Sequence, residues 1–225
     1  MEFKIRCSAI GQIMTAPRTK GATLSETAKT YCEMWLKEQL YDRRAEVNTV
    51  QMRKGNAVEG AAIDFAQAIM EPGGLWFKNE TSFQDNWMKG TPDLLIGSAV
   101  YDIKSPWSWE TFPLFETEPD KAYYWQLQGY MALTGATEAA VLYCLMNAPD
   151  ELIMDEARRM SYARGLGGNT DDTWADAMRK MTYDDVAVHL RFKAFQVERD
   201  DAAIQSIRDK VEACREYIQE LSRKV

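Results

Sequence analysis

Gly90-Thr-Pro-Asp-Leu-Leu-Ile-Gly-Ser-Ala-Val-Tyr-Asp-Ile-Lys-Ser-Pro106 is the stretch that decides the fold. Two apolar runs, Leu94–Ile96 and Ala99–Ile103, flank Gly97-Ser98. The pattern predicts a hairpin with a two-residue turn, Gly first, as a type II′ turn prefers. In that register Ile96 pairs with Ala99, and counting outward sets Asp93 opposite Asp102. Directly opposed Cβ atoms lie about 4.5–5.5 Å apart, where like charges destabilise a sheet. Period-2 alternation puts Lys104 on the face of Asp102. Two carboxylates face to face beside an ammonium point to a divalent cation between them, and hard oxygen ligands suit Mg²⁺ or Mn²⁺.

The rest of the chain sets the bounds. Its 225 residues suffice for one domain with a real core, expected over 1–225. No apolar run approaches the ~20 residues of a membrane span. The start, Met-Glu-Phe-Lys-Ile-Arg, is charged and lacks the apolar run of a signal peptide. Cys7, Cys32, Cys144 and Cys214 are scattered with no CxxC pair, so free thiols in a cytosolic protein are expected. A net charge of −7 argues against a passive nucleic-acid coat. The charge is uneven, however. Residues 1–58 carry 10 Lys/Arg against 6 Asp/Glu, so a basic N-terminal part sits on an acidic body.

Taken in order, Ser8 is a candidate N-cap for a short helix that Pro17 stops, and Arg18 and Lys20 lie nearby. An exposed helix N-terminus at Ser8 could instead hold a phosphate. Leu24–Tyr41 reads as a helix starting near Ser25, with Tyr31, Trp35, Leu36 and Leu40 at core-like spacings. Met52–Met70 reads as a helix capped by Asn56. Glu59 then completes a capping box, the bland reading, or serves as a carboxylate on the stripe of Ala62, Ile63, Ala66 and Met70, where it needs a partner.

Leu75–Thr81 reads as a strand leading into the hairpin, with Trp87 in the core or at an edge. Trp107–Pro119 is an aromatic loop that either clamps substrate or covers a core. Lys121–Thr134 is a helix stopped by Gly135, with Gln126 and Tyr130 on one face and Gln128 on another. Taken alone, such amides more often satisfy backbone than touch substrate. Glu138–Met146 is a buried strand. Residues 148–182 are polar and partly helical, with an exposed loop at Gly165–Thr170. Val186–Val197 alternates as a strand holding His189, the sole histidine, read as structural. Ala202–Arg223 is an amphipathic helix. No Ser/His/Asp or Cys/His arrangement presents itself.

The hairpin's chemistry fits phosphodiester hydrolysis. Ions held by Asp93 and Asp102 stabilise attacking and leaving oxygens and acidify a water. Lys104 sits among carboxylates that oppose a depressed pKa, so it is read as a positioning group rather than a base. The competing reading is a surface Asp–Lys ion pair of little energetic consequence.

Pro92-Asp93 followed by Asp102-Ile103-Lys104 resembles the PD-(D/E)xK nuclease motif, and the wider likeness is to the lambda-type phage exonucleases, or YqaJ-like viral recombinases. Ser8 with Ile13 and Pro17-Arg18 is similar to that family's N-terminal helix, Gly55-x-x-x-Glu59 to its G-x-x-x-E helix, Gln126-Leu-Gln-Gly-Tyr-Met131 to its Gln-containing helix, and Val197-Glu-Arg-Asp200 to the segment before its last helix. Their shared order carries the resemblance, which covers most of the chain outside residues 148–182.

The resemblance implies an α/β fold with a PD-(D/E)xK restriction-endonuclease-like core, a central mixed sheet flanked by helices. It implies that Glu59, Asp93, Asp102 and the Ile103 backbone carbonyl surround Mg²⁺ (Mn²⁺ substituting), with two ions per site. Lys104 is the implied catalytic lysine, and Gln126 orients water or phosphate. Ser8, Arg18 and Tyr130 contact DNA. It further implies a homotrimeric ring that digests the 5′ strand of duplex ends, partnered by a phage single-strand annealing protein in the cytoplasm of a bacterial host, with no membrane association. In two places the chain departs from the family. An upstream Trp/Arg element that holds the 5′ phosphate is missing or replaced, with Arg6 or Arg18 as substitutes, and the third motif residue is Asp102 where Glu is frequent. The alternatives are an endonuclease or CRISPR-associated nuclease of the same fold, and a non-catalytic DNA-end binding protein.

Overall fold

The computed structural model describes residues 2–45, 48–168 and 170–225. Its centre is a four-stranded sheet of order β4-β5-β6-β7, made of Leu94–Ile96 (β4), Ala99–Lys104 (β5), Glu138–Cys144 (β6) and Phe192–Glu198 (β7). β5 and β6 run parallel and the outer pairs antiparallel, so the sheet is mixed as expected. A second sheet of order β1-β3-β2 joins Ile5–Arg6 (β1), Met88–Gly90 (β3) and Phe83–Gln84 (β2). It leaves no trace in the residue pattern, because strands of two or three residues carry almost no periodicity.

The hairpin register is the expected one: Ile96 pairs with Ala99, Leu95 with Val100 and Leu94 with Tyr101. Gly97 turns the chain at φ +58°, while Ser98 keeps a negative φ, the signature of a type II′ turn.

Helices cover the sheet on both faces, and strand parity decides which residues meet them. Val100, Ala139, Val141 and Val197 face a core shared with α1 (Ile10–Ile13), α2 (Glu26–Leu40), α4 (Lys121–Thr134) and α7 (Asp201–Ser222). Leu94, Ile103, Ala140, Leu142 and Cys144 face α3 (Val50–Met70) through Ala62, Ile63 and Ala66, with Trp76 alongside. Asp102 and Lys104 share parity with Val100, which aims them at α4. A smaller core joins α5 (Asp150–Ala163) to α6 (Asp171–Met181), with Trp107 against it.

Several expectations are corrected. Thr49, not Asn56, caps α3, its hydroxyl accepting from the Met52 amide, so Glu59 belongs to no capping box. Ser8 caps nothing; it is exposed in a 3-10 turn, Cys7–Ala9. Leu40 is 52% exposed at the end of α2. Leu75–Thr81 is extended but joins no sheet, tethered instead by the Asn79 amide donating to the Asp93 carbonyl at 2.7 Å. His189 lies exposed in a 3-10 turn before β7, not in the strand. Of the loop Gly165–Thr170, Asn169 lies outside the described residues. All four cysteines are free and buried.

Candidate active site

β4 ends its ladder just after Asp93. Continued one step further, the register would set Pro92 opposite Ile103. Proline has no N–H to donate, so pairing stops there and the Ile103 carbonyl on that edge faces no ladder donor. The groups released are taken up locally. The Ile103 amide donates to Asp93 Oδ2 at 2.7 Å, and Asn79 Nδ2 donates to the Pro92 carbonyl at 2.9 Å. The Asp93 side chain thus replaces a missing strand bond, and the same bond fixes its carboxylate beside Asp102.

Asp102 is 1% exposed. Its Oδ1 accepts from Gln126 Nε2 at 2.7 Å, and Gln126 also donates to the Tyr130 hydroxyl at 3.1 Å. Its Oδ2 lies 2.6 Å from Lys104 Nζ, an ion pair, and has no other partner. Lys104 also rests 4.8 Å from the centre of the Tyr123 ring.

Electrostatics follow from this crowding. Burial, then the Asp102 charge, pushes Asp93 up to about 7, while the Ile103 amide and Lys104 pull the other way. Burial raises Asp102 as well, against the attraction of Lys104. For Lys104, burial works against the ammonium, but Asp102 and the nearby Tyr123 and Asp93 outweigh it, and the net shift is upward. Lys104 therefore stays charged at neutral pH, which fits a positioning role and excludes a resting general base.

A divalent cation is the group this chemistry implies, and part of the donor set fits one. A desolvated carboxylate pair, an Asp102 oxygen with no partner but Lys104 and a carbonyl facing no ladder donor all gain from a hard cation. Asp93, Asp102 and the Ile103 carbonyl would hold it. Glu59 stands apart. Its Oε2 is 2.5 Å from Lys78 Nζ, and among the described residues no three His, Cys, Asp or Glu side chains gather closely enough to hold an ion. Glu59 still lies near enough that its charge raises both aspartates.

The structure thus brings Asp93, Asp102, Lys104 and Gln126 together and leaves Glu59 at the margin. Ser8 and Arg18 are exposed, and neither bonds to this group. Tyr130 is 5% exposed and packs behind Gln126, so it supports the site instead of presenting a face to DNA. Gln128 turns away, donating to the Glu198 carbonyl at 2.7 Å and accepting from the Asp200 amide at 2.9 Å. A cavity of about 1,030 Å³ beside Thr15, Lys121, Trp125 and Arg199 contains none of the site carboxylates.

Three residues escaped the sequence reading. Tyr123 sits three positions before Gln126 on α4, so its place over Lys104 was legible from helical spacing. Lys78 as partner of Glu59 had no local signal. Neither did Lys54, fully buried on α3 and donating to the carbonyls of Pro106 at 2.8 Å and Trp107 at 3.0 Å.

The chain is a mixed-sheet α/β protein with a PD-(D/E)xK-like fold, its acidic pair placed where a strand leaves the ladder. The chain has the fold of phage-type exonucleases. It superposes on a phage-related exonuclease from Haemophilus somnus 129PT with a TM-score of 0.83 at 24% identity, covering 100% of this chain and 97% of that one. An alkaline exonuclease from Laribacter hongkongensis matches at a TM-score of 0.63 and 21% identity, covering 98% and 92%, and matches equally in its complex with dAMP. No protein-family model matches the chain, and no curated protein does.

Proposed function

We propose that this protein is a divalent-metal-dependent exonuclease that hydrolyses phosphodiester bonds of linear double-stranded DNA. The observation that carries the reading is the opposed Asp93–Asp102 pair with Lys104 charged beside it and Gln126 holding one carboxylate oxygen. A binding protein gains nothing from such a pair, which costs folding energy for as long as no cation relieves it. The fold shared with two exonucleases supports the same reading.

When bound, Mg²⁺ or Mn²⁺ stabilises charge on the phosphoryl oxygens and acidifies a water. The chain's own groups do the rest. Asp93 and Asp102 would hold the cation with the Ile103 carbonyl. Lys104, fixed by Asp102 and the Tyr123 ring, offers an ammonium to the developing negative charge. Gln126 keeps Asp102 in one rotamer. Glu59, now paired with Lys78, would be the further carboxylate for a second ion.

Finer parts of the proposal rest on the ordered motifs: 5′-to-3′ digestion, a ring-shaped homotrimer, contacts from Ser8 and Arg18 to the DNA backbone, and a phage single-strand annealing protein as partner in a bacterial cytoplasm. Among the described residues no helix is long and apolar enough to cross a membrane.

The test is incubation with linear duplex DNA in Mg²⁺ or in EDTA, beside Asp102→Ala and Lys104→Ala. The expected outcome is degradation in Mg²⁺ alone and a loss of roughly 10²-fold or more in each variant. Survival of linear DNA in Mg²⁺ removes the nuclease reading. Equal cutting of closed circles replaces it with an endonuclease, and comparison of 5′- with 3′-labelled ends fixes polarity.

A further inference from the structure

A second concave surface lies away from the carboxylates, where α2 meets the small sheet. It encloses about 650 Å³ and is lined by Lys4, Arg6, Arg43, Arg44 and Lys89, with Tyr31, Met34 and Trp35 among its walls. The small sheet explains why the cations gather. β1 and β3 pair in parallel with Ile5 opposite Met88 and Arg6 opposite Lys89. Ile5 and Met88 are fully buried, so alternation turns Arg6 and Lys89 outward together. Arg43 and Arg44 come from the segment after α2.

Five cations face two carboxylates, Glu38 and Asp42. Glu38 is already engaged, its Oε1 accepting the Ala45 amide at 2.9 Å. Among the described residues Lys4, Arg6, Arg44 and Lys89 form no ion pair. On a chain of net charge −7, a cleft whose described lining holds five cations against two carboxylates attracts a polyanion. The aromatic wall is rigid, since Phe3 meets Trp35 edge-on at 5.2 Å and Tyr31 at 6.4 Å.

We propose that this cleft is a docking site for single-stranded DNA, its Lys and Arg side chains taking successive phosphates and the Tyr31–Trp35 wall taking sugars and bases. A basic groove with aromatic walls is the general design for single strands. Pockets of roughly 300–1,000 Å³ take drug-sized ligands, so this one has room for about one or two nucleotides. Its position joins it to the chemistry. Lys89 precedes Asp93 by four residues, so one strand of the cleft runs into the active-site segment. The role rests on the exonuclease reading, since that activity leaves a single strand beside the enzyme.

Binding of a short fluorescent oligothymidylate in EDTA, followed by anisotropy across a salt series, tests the assignment without catalysis. Lys4→Ala/Arg44→Ala/Lys89→Ala is expected to weaken binding at least tenfold and to flatten the salt slope by about 2, at ~0.7 per phosphate contact. Arg43→Ala/Arg44→Ala, confined to exposed side chains, gives a smaller loss in the same direction and guards against misfolding. Unchanged affinity and slope in both variants overturns the proposal. So does an equal sensitivity of blunt duplex binding, which makes the occupant duplex, or full displacement by inorganic phosphate, which makes the cleft a single-anion site. If wild type fails to hydrolyse DNA yet the cleft variants lose binding, the nuclease reading falls and the cleft stands.

Discussion

Gln126 and Gln128 are two positions apart on α4 and serve different ends. Gln126 points into the sheet and fixes Asp102, whereas Gln128 ties the end of β7 to the start of α7. Replacing the amide that orients a ligand costs activity about 10- to 100-fold. Gln126→Leu is therefore expected to lower kcat by that factor in a steady-state nuclease assay. Gln128→Leu should leave kcat in place and cost about 1–3 kcal/mol in urea denaturation, because buried backbone groups lose their partner. Lys54 presents a different case, a buried cation with two carbonyls and no carboxylate. Burial lowers its pKa from 10.5 to about 8. Between those values the unfolded chain binds more protons than the folded one, so this residue's contribution makes stability rise with pH across that window. Below about 8 the full penalty of a buried charge is present. The stability gap between Lys54→Met and wild type should therefore shift in favour of wild type from pH 8 to 10.5, by an amount on the order of 2 kcal/mol, in melts at graded pH.

Elements differ in how far the sequence reveals them. The hairpin, α4 with both its ends, and α7 were legible because their signals are local: a Gly-first turn, Gly135 in the left-handed region at φ +76°, and apolar residues at helical spacing. Leu75–Thr81 has a strand's sequence with Trp76 buried between two exposed neighbours, yet it joins no sheet. Sheet membership depends on what packs alongside, which local sequence does not carry. The cap of α3 was misplaced for a related reason: Asn56 is an acceptable cap, but the helix runs on through Gly55 because Lys54 and Val58 have buried places to occupy. At the site, the Asp93–Asp102 pair followed from register alone, while Glu59's bond to Lys78 crosses between segments. The junction of α1 and α4 is similarly non-local and depends on Gly11. A Cβ there would sit 2.9 Å from Cα of Ala122, against backbone that cannot yield easily. Gly11→Ala is expected to destabilise by about 1–3 kcal/mol in a urea titration. Gly60→Ala, on the exposed side of α3 with nothing within 4 Å, should stabilise by up to about 1 kcal/mol.

Across the whole molecule, charge and topology divide the labour. The acidic pair lies at the end of the hairpin, and the clustered cations lie on the neighbouring small sheet. A strand spanning both would meet attraction first and a cation-dependent centre second, which suits directional handling of a polymer. Such handling gains from enclosure, so the proposed homotrimer is tested by light scattering, where it is expected to give three times the 25.7 kDa chain mass. A monomer would remove the ring as a source of processivity. The ladder's early stop at Pro92 carries one more consequence. The Ile103 amide is a strand amide whose acceptor is a carboxylate instead of a peptide oxygen. Its resonance frequency is therefore expected to respond to the state of Asp93 as well as to the integrity of the sheet. A single backbone hydrogen is thereby expected to register binding at Asp93 in the intact protein, without substrate, dye or label on a side chain.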